Sequence, residues 1–429
     1  MPRFAGIKDD KIHLISSVLL NYGDYFLLEI PKEFDNISSG DLISNFRYKN
    51  NELKSKSSKK NANEMKVAFV SNWKMKCGIS TYAECLLPEV AKYVGDFKLF
   101  IEKNDIQTEN VCQFGDQIIP ENKVVACWQR NESLQELVKE IHDYDPDVVI
   151  IQHEFGIWPN ARYWLSLMTQ LSDYRVIVVM HSVFPHHYDK MIYEASMPEI
   201  IVHLEDAKHN LQNIKKVNAK VHTIGHGCYK IEEQKKLWNN YKSQHTFIQQ
   251  GFGFKYKNFE ASIKATAILK DKYPDVFFTG LFSESPHNGI GHQIYYNDLK
   301  KLINDFDLQE NVAIIRGYQQ DNIVDSFLRS NQVAVFPYLS VPGHEVYGAS
   351  GAARLAMSKG IPIISSSIPH FSDLNTIKAD TPEEIAFELD KLFCDEKLRK
   401  NQVEKQNNFI VENSWDNVAK RYVSIIESE

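Results

Sequence analysis

From Met65 onward the chain repeats one unit: a short apolar run, a loop of small and polar residues, and a longer stretch with apolar positions every three or four residues. The runs are KVAFVS, DVVIIQ, RVIVVMH, EIIVHL and KVHTIGH. They are apolar without alternation, as parallel strands buried on both faces are. Strand and helix in turn predict a doubly wound α/β domain. After the polar stretch EEQKKLWNNYKSQH the rhythm restarts with TFIQQGFGF, DVFFTG, NVAIIRG, QVAVFPYL and IPIISSS. The pattern predicts two Rossmann-like α/β domains, 65–240 and 241–405, facing a cleft, and a closing segment, 406–429. That segment reads as a helix, with Ser414 as N-cap and Trp415, Val418, Tyr422 and Ile425 on one face. Residues 1–64 stand apart as an N-terminal extension. Short apolar runs such as YFLLEIP precede a lysine- and asparagine-rich linker, Arg47 to Glu64. The extension is too small to bury much core by itself.

In open α/β sheets, ligands sit beyond the carboxyl ends of the strands, so the loops after the runs carry the candidate chemistry. Gly78 begins a helix after KVAFVS. Glycine lets the backbone approach a ligand closely, and the first helical N–H groups attract anions. A contact to a diphosphate or sugar and a plain strand-to-helix turn are both open there. Gln152, His153 and Glu154 are three polar groups directly past DVVII, where His153 equally suits a brace for its loop. His181 is the first residue beyond RVIVVM, and His226 lies in a GHG turn at the expected edge of cleft and hinge. In the second domain, Lys255 and Lys257 follow Gly251 and Gly253 between strand and helix, where lysines can meet a diphosphate. Arg316 comes just after a strand. Glu345 is the only carboxylate in the loop PYLSVPGHEVYG, after which Ser350 is placed to cap a helix opened by Gly351 and Ala352. Such a helix start suits phosphate oxygens.

Metal chemistry is not expected. The D-x-D pairs Asp145/Asp147 and Asp305/Asp307 precede their strands, on the side away from the cleft. His186 and His187 lack a carboxylate or cysteine at ligand spacing. The net charge of −7 argues against nonspecific nucleic-acid binding. No apolar run reaches the ~18–20 residues of a membrane span, the start lacks the features of a signal peptide, and the six cysteines form no C-x-x-C pair. A cytoplasmic protein is the expectation, with peripheral membrane contact left open.

Taken in order, KCGISTY, IQHEFGIW, VMHSVF, GHG, GFGFKYKNFE, the RGY turn and EVYGASGAARLAMSKGIPII resemble the family-four group of retaining glycosyltransferases, from about Met65 to the C-terminus. The resemblance implies the GT-B fold and a closing helix that crosses back to the first domain. It also implies a first domain for a carbohydrate or glycoconjugate acceptor, and a second for a nucleoside diphosphate sugar. It maps Gly78 onto a glycine that meets the donor phosphate, His181 onto a histidine near the transferred sugar, and Lys257 onto a lysine that neutralises the diphosphate. Glu345 maps onto the first glutamate of a paired motif. The second glutamate is missing, since Ala353, Arg354 and Leu355 fill its stretch. The arginine usual after the second-domain glycine is replaced by Phe254, and Lys255 is a candidate substitute. The alternatives are an epimerase or inverting transferase on the same fold, and a nucleotide-sugar-binding subunit without catalysis.

Overall fold

The computed structural model describes residues 60–103, 119–186, 199–215, 217, 219–231, 244–284 and 289–428. Most of the N-terminal extension, His187 and most of the expected hinge at 225–245 lie outside them.

The first sheet has seven parallel strands: β1 (Lys66–Val70), β2 (Asp96–Glu102), β3 (Val124–Trp128), β4 (Val148–His153), β5 (Arg175–Met180), β6 (Glu199–Val202) and β7 (Lys220–Thr223). Their order across the sheet is β3-β2-β1-β4-β5-β6-β7. The order reverses between β1 and β4, which pair from Val67↔Val148 to Val70↔Ile151. Helices α1 (Gly78–Val90), α2 (Gln135–Tyr144), α3 (Ala161–Gln170) and α4 (Glu205–His209) connect these strands. Every residue of β4 is buried, as its unbroken apolar run requires.

The second sheet contains β8 (Thr246–Phe252), β9 (Phe277–Ser283), β10 (Val312–Arg316), β11 (Val333–Phe336), β12 (Ile363–Ser365) and β13 (Ile377–Lys378), ordered β10-β9-β8-β11-β12-β13. Its reversal lies between β8 and β11. Helices α5 (Phe259–Lys270), α6 (Gly289–Asp305), α7 (Asp321–Ser330), α8 (Gly351–Ser358), α9 (Pro382–Cys394) and α10 (Glu396–Glu412) belong to this half.

Helix α11 (Trp415–Glu427) returns to the first sheet. Ser414 caps it by accepting from the Asn417 N–H. Val418, Tyr422, Ile425 and Trp415 join Leu86, Leu87 and Val90 of α1 in one apolar cluster. Each large apolar side chain fully buried there stabilises the fold by about 1.5–3 kcal/mol. The Tyr82 and Tyr422 hydroxyls meet at 2.9 Å, and Arg175 donates to the carbonyls of Ile425 and Ile426 at the helix end.

Among the described residues, backbone hydrogen bonds join the halves at two places. Cys228 N–H donates to Asn413 O at 2.7 Å, so the two chain crossings lie side by side. Val183 and Tyr347 exchange two backbone bonds of 3.1 and 2.9 Å, which ties the loop after β5 to the loop after β11.

Candidate functional site

Both sheets reverse strand order at their centres, and the loops after β1, β4, β8 and β11 open at the carboxyl ends there, where crevices form. These four loops contain most of the residues singled out from the sequence.

In the loop after β1, Cys77 accepts from the Ser80 N–H, while the Ser80 hydroxyl accepts from Met75 N–H and donates to Glu84 at 2.6 Å. This pins the start of α1. A Cβ placed on Gly78 would meet nothing within 4 Å, so its backbone borders open space. Lys76 of the same loop stands 5.3 Å from the Tyr318 ring in the RGY turn of the second half.

At the end of β4, whose last two residues are Gln152 and His153, the three polar residues separate. His153 is fully buried, its ring against Trp164 at 4.7 Å and Phe155 at 5.2 Å. This corrects the expectation of a cleft residue: an aromatic core surrounds the ring, and burial pulls its pKa down to about 3. Glu154 is half-buried, accepts from the Ser182 hydroxyl at 2.6 Å and from Phe155 N–H, and is pushed up to about 7 by burial. Its charge is felt by the Tyr256 hydroxyl of the second half, which burial first and Glu154 next raise. Gln152 is buried and meets His181 Nε2 at 2.7 Å through its carboxamide.

His181 is half-buried, and its Nδ1 lies 3.4 Å from His203 Nε2. Burial, then His203, His226 and His153, hold its pKa well below the usual histidine range. The His226 ring sits 5.0 Å from Tyr82 and 5.4 Å from Trp415, and its Nδ1 donates to Gly227 O at 2.8 Å. The Nε2 of His226 is 3.5 Å from where a Cβ on Gly351 would lie, so His226 abuts the start of α8 across the cleft.

On the second wall, Lys257 closes the short turn after β8. Its ammonium stands 3.7 Å from the centre of the Tyr338 ring and 4.8 Å from that of Tyr256. Burial alone lowers it to about 7, and no carboxylate among the described residues is paired with it. His370 Nδ1, in the same cluster, is buried without a hydrogen-bond partner among the described residues. Lys255 is exposed. Ser350 caps α8 by accepting from Ala353 N–H, ahead of which come the N–H groups of Gly351 and Ala352, and Gln250 donates to Ala352 O at 3.0 Å. Glu345 is turned onto its own loop, accepting from Gly343 N–H at 3.0 Å. Arg316 is not gathered with these groups. It ends the outermost strand, β10, and is bound to Glu284 at 2.6 Å and to Gln293.

Arg354 takes the stretch where a second glutamate was missed. It is fully buried, donates to His226 O at 3.3 Å and Ser350 O at 3.1 Å, and is paired with Asp373. Ala353 is buried, and Leu355 packs on the apolar cluster beside it.

Several residues were not anticipated. His203 directly follows β6, the same position that drew attention to His181 after β5. Tyr338 and His370 follow β11 and β12. A cavity of about 460 Å³ is lined by Met75, Glu102, Gln129, Arg130, Gly156 and Pro159 among others, beyond the carboxyl ends of β1 to β4. Arg130 there is paired with the buried Glu102 at 2.9 Å.

Asp147 accepts from Lys66 N–H at 2.8 Å at the amino end of β1, and Asp145 and Asp307 are exposed turn residues with φ of 49° and 52°. Among the described residues no group of three His, Cys, Asp or Glu side chains is placed to hold a metal ion, and no helix is long and apolar enough to cross a membrane.

No family model and no curated protein matches the sequence. Solved structures do match. A glycosyltransferase from Rickettsia africae superposes with a TM-score of 0.61 at 15% identity, over 85% of this chain and 98% of that one. The Anabaena HepE protein in complex with UDP gives 0.63 at 12% identity, over 85% and 100%. Sucrose-phosphate synthase from Thermosynechococcus elongatus gives 0.64 at 13% identity, over 84% and 98%. The chain has the GT-B fold. At these identities the likeness is one of architecture, so the GT-B frame locates the cleft and leaves its chemistry to the residues above.

Proposed function

We propose that this protein is a glycosyltransferase. It moves a hexose from a UDP- or GDP-linked sugar to an acceptor hydroxyl with retention and without a metal ion, in glycan or glycoconjugate synthesis. The observation that carries this is Lys257: a half-buried ammonium at the crevice of the second sheet, caged by two tyrosines and with no acidic partner among the described residues. Such a cation is incomplete until an anion reaches it. The adjacent start of α8 adds N–H groups that favour phosphate oxygens. The complexes of the Anabaena protein with UDP and UDP-glucose support a nucleotide sugar as that anion.

In this mechanism the diphosphate leaves the anomeric carbon while an acceptor hydroxyl attacks from the same face. The transition state has oxocarbenium character. Charge grows on the departing oxygen, where Lys257 and the N–H groups of Gly351 and Ala352 stabilise it. His181 and Glu345 orient sugar hydroxyls, Gly78 borders the donor, and the acceptor enters from the first half, past Gln152 and Glu154.

A binding subunit without catalysis is the second reading. It is favoured by the absence of a carboxylate at Ala353, Arg354 and Leu355, all engaged in packing or in the Asp373 pair.

Thermal shift with uridine, guanosine and adenosine diphosphates and their sugars, with and without chelator, tests the proposal. A ligand at ~100 times its dissociation constant adds about 2.7 kcal/mol. A shift from one nucleotide that persists with chelator supports the donor site. No shift from any of them rules it out. Binding without turnover on any acceptor selects the second reading.

A further inference from the structure

Beneath His181 lies a second histidine whose protonation pattern is fixed by its surroundings. His203 is buried, and its Nδ1 lies 3.0 Å from the carbonyl oxygen of Ile224. A carbonyl oxygen only accepts, so His203 Nδ1 carries the proton of that bond. Burial holds His203 at about 4, so near neutral pH the ring has one proton and Nε2 is a bare lone pair. That lone pair faces His181 Nδ1 at 3.4 Å. Two lone pairs facing each other in a buried site repel, whereas a proton on His181 Nδ1 makes the contact a hydrogen bond.

His181 is also neutral, so a proton on Nδ1 leaves none on Nε2. Nε2 then needs a donor, and the group beside it is the Gln152 carboxamide, at 2.7 Å. An independent observation agrees. With its oxygen toward His181, Gln152 leaves its buried Nε2 amide without a partner among the described residues. A half-turn of the carboxamide brings that NH2 to His181 Nε2 and removes the orphaned donor.

We infer that His203 is a positioning residue for His181: it holds the imidazole in the Nδ1–H tautomer and makes Nε2 an obligate hydrogen-bond acceptor. The consequence for the cleft rests on the proposed glycosyltransferase activity. His181 can accept from a sugar hydroxyl that takes the place of the Gln152 amide, and it cannot donate to the departing oxygen. The tautomer itself does not depend on that activity.

The test is the 15N spectrum of the full-length protein labelled with [15N]histidine, with His181 assigned by the signals lost in His181→Gln. A pyrrole-type Nδ1 and a pyridine-type Nε2 at His181 are expected. In His203→Phe, which removes both ring nitrogens, the proton should move to Nε2, and kcat/KM should fall by about 100-fold through misplacement of the His181 ring. His203→Gln offers an amide oxygen near the lost Nε2, so it should keep the Nδ1–H form and recover activity to within about tenfold of the parent. An Nε2–H tautomer in the unmodified protein overturns the inference and needs no folded variant to be seen. So does a His203→Phe protein whose His181 stays Nδ1–H. The expected tautomer in a protein that transfers no sugar supports the role of His203 and overturns the activity instead.

Discussion

Replacing Lys257 by methionine keeps the reach of the side chain and its packing on Tyr256 and Tyr338 while removing the charge. Burial lowers this ammonium from 10.5 to about 7. At about 1.4 kcal/mol per pKa unit, that fall corresponds to at most roughly 5 kcal/mol, and partial exposure of the side chain reduces it to about 2–3 kcal/mol. The sign follows from proton counting. Between pH 7 and 10.5 the unfolded chain holds a proton on Lys257 that the folded chain has released, so stability rises with pH across that window. Below pH 7 both states hold it, and the folded protein carries the full cost of burying the charge. Lys257→Met should therefore stabilise the ligand-free protein at pH 6 by about 2 kcal/mol, with little gain left at pH 10.

Donor binding should move the other way. Removing one partner of a buried charge pair costs about 3 kcal/mol or more, which is at least about a hundredfold in dissociation constant. In the parent protein the diphosphate binds the ammonium form, so affinity should be flat below pH 7. Above it, affinity should weaken by up to about tenfold per pH unit, with proton uptake on binding. Calorimetric titration at pH 6, 7, 8 and 9 in two buffers of different ionisation heat measures both quantities. A dissociation constant that stays level from pH 6 to 9 with no proton uptake, or a Lys257→Met protein that binds as tightly as the parent, refutes the placement of the diphosphate at Lys257.

Glu154→Gln should stabilise the protein at pH 8 by about 1–3 kcal/mol and leave it unchanged at pH 4 in urea titrations, because burial raises this carboxyl from 4.5 to about 7 and the folded state loses stability as pH climbs through that window. In Gly227→Ala the new Cβ would lie 2.3 Å from Trp415 Cε3, so the return of α11 is disturbed and a loss of about 2–3 kcal/mol is expected, read as a lowered urea midpoint. Arg354→Met leaves Asp373 without its partner and removes the side-chain donors to the His226 and Ser350 carbonyls, of which Ser350 O keeps the main-chain N–H of residue 354. Its cost should reach about 3–5 kcal/mol in the same assay.

The strands that the sequence shows plainly are the ones buried on both faces. β4, β5 and β6 lie where the apolar runs were read, because a strand covered on both sides has no polar positions to interrupt it. β2 and β3 were not read as strands. The first three residues of each are only half-buried, since both lie toward the open edge of the sheet; Asp96 and Lys98 break the run of β2, while β3, VVACW, is apolar but only five residues long. β13 has two residues and no pattern to show. The caps at Ser350 and Ser414 were legible because an N-cap is a local bond between a side chain and the N–H three residues on.

What the sequence hides in the site is direction. Gln152, His153 and Glu154 are consecutive, and a strand end sends neighbours to opposite sides. His153 therefore enters the aromatic core while Gln152 reaches His181, a split that position alone does not assign to one face or the other. Arg316 and Lys257 are both cations at the carboxyl ends of strands, yet strand order separates them: β8 lies at the reversal and β10 at the edge, where Glu284 already neutralises Arg316. The missing glutamate is the sharpest case. A carboxylate at Arg354 would face the carbonyl oxygens of His226 and Ser350, and repel both. The arginine donates to each and pairs with Asp373, so this position links the start of α8 to the GHG turn of the other half. The position that lacks the second glutamate therefore holds, in the folded chain, a bond between the two walls of the cleft.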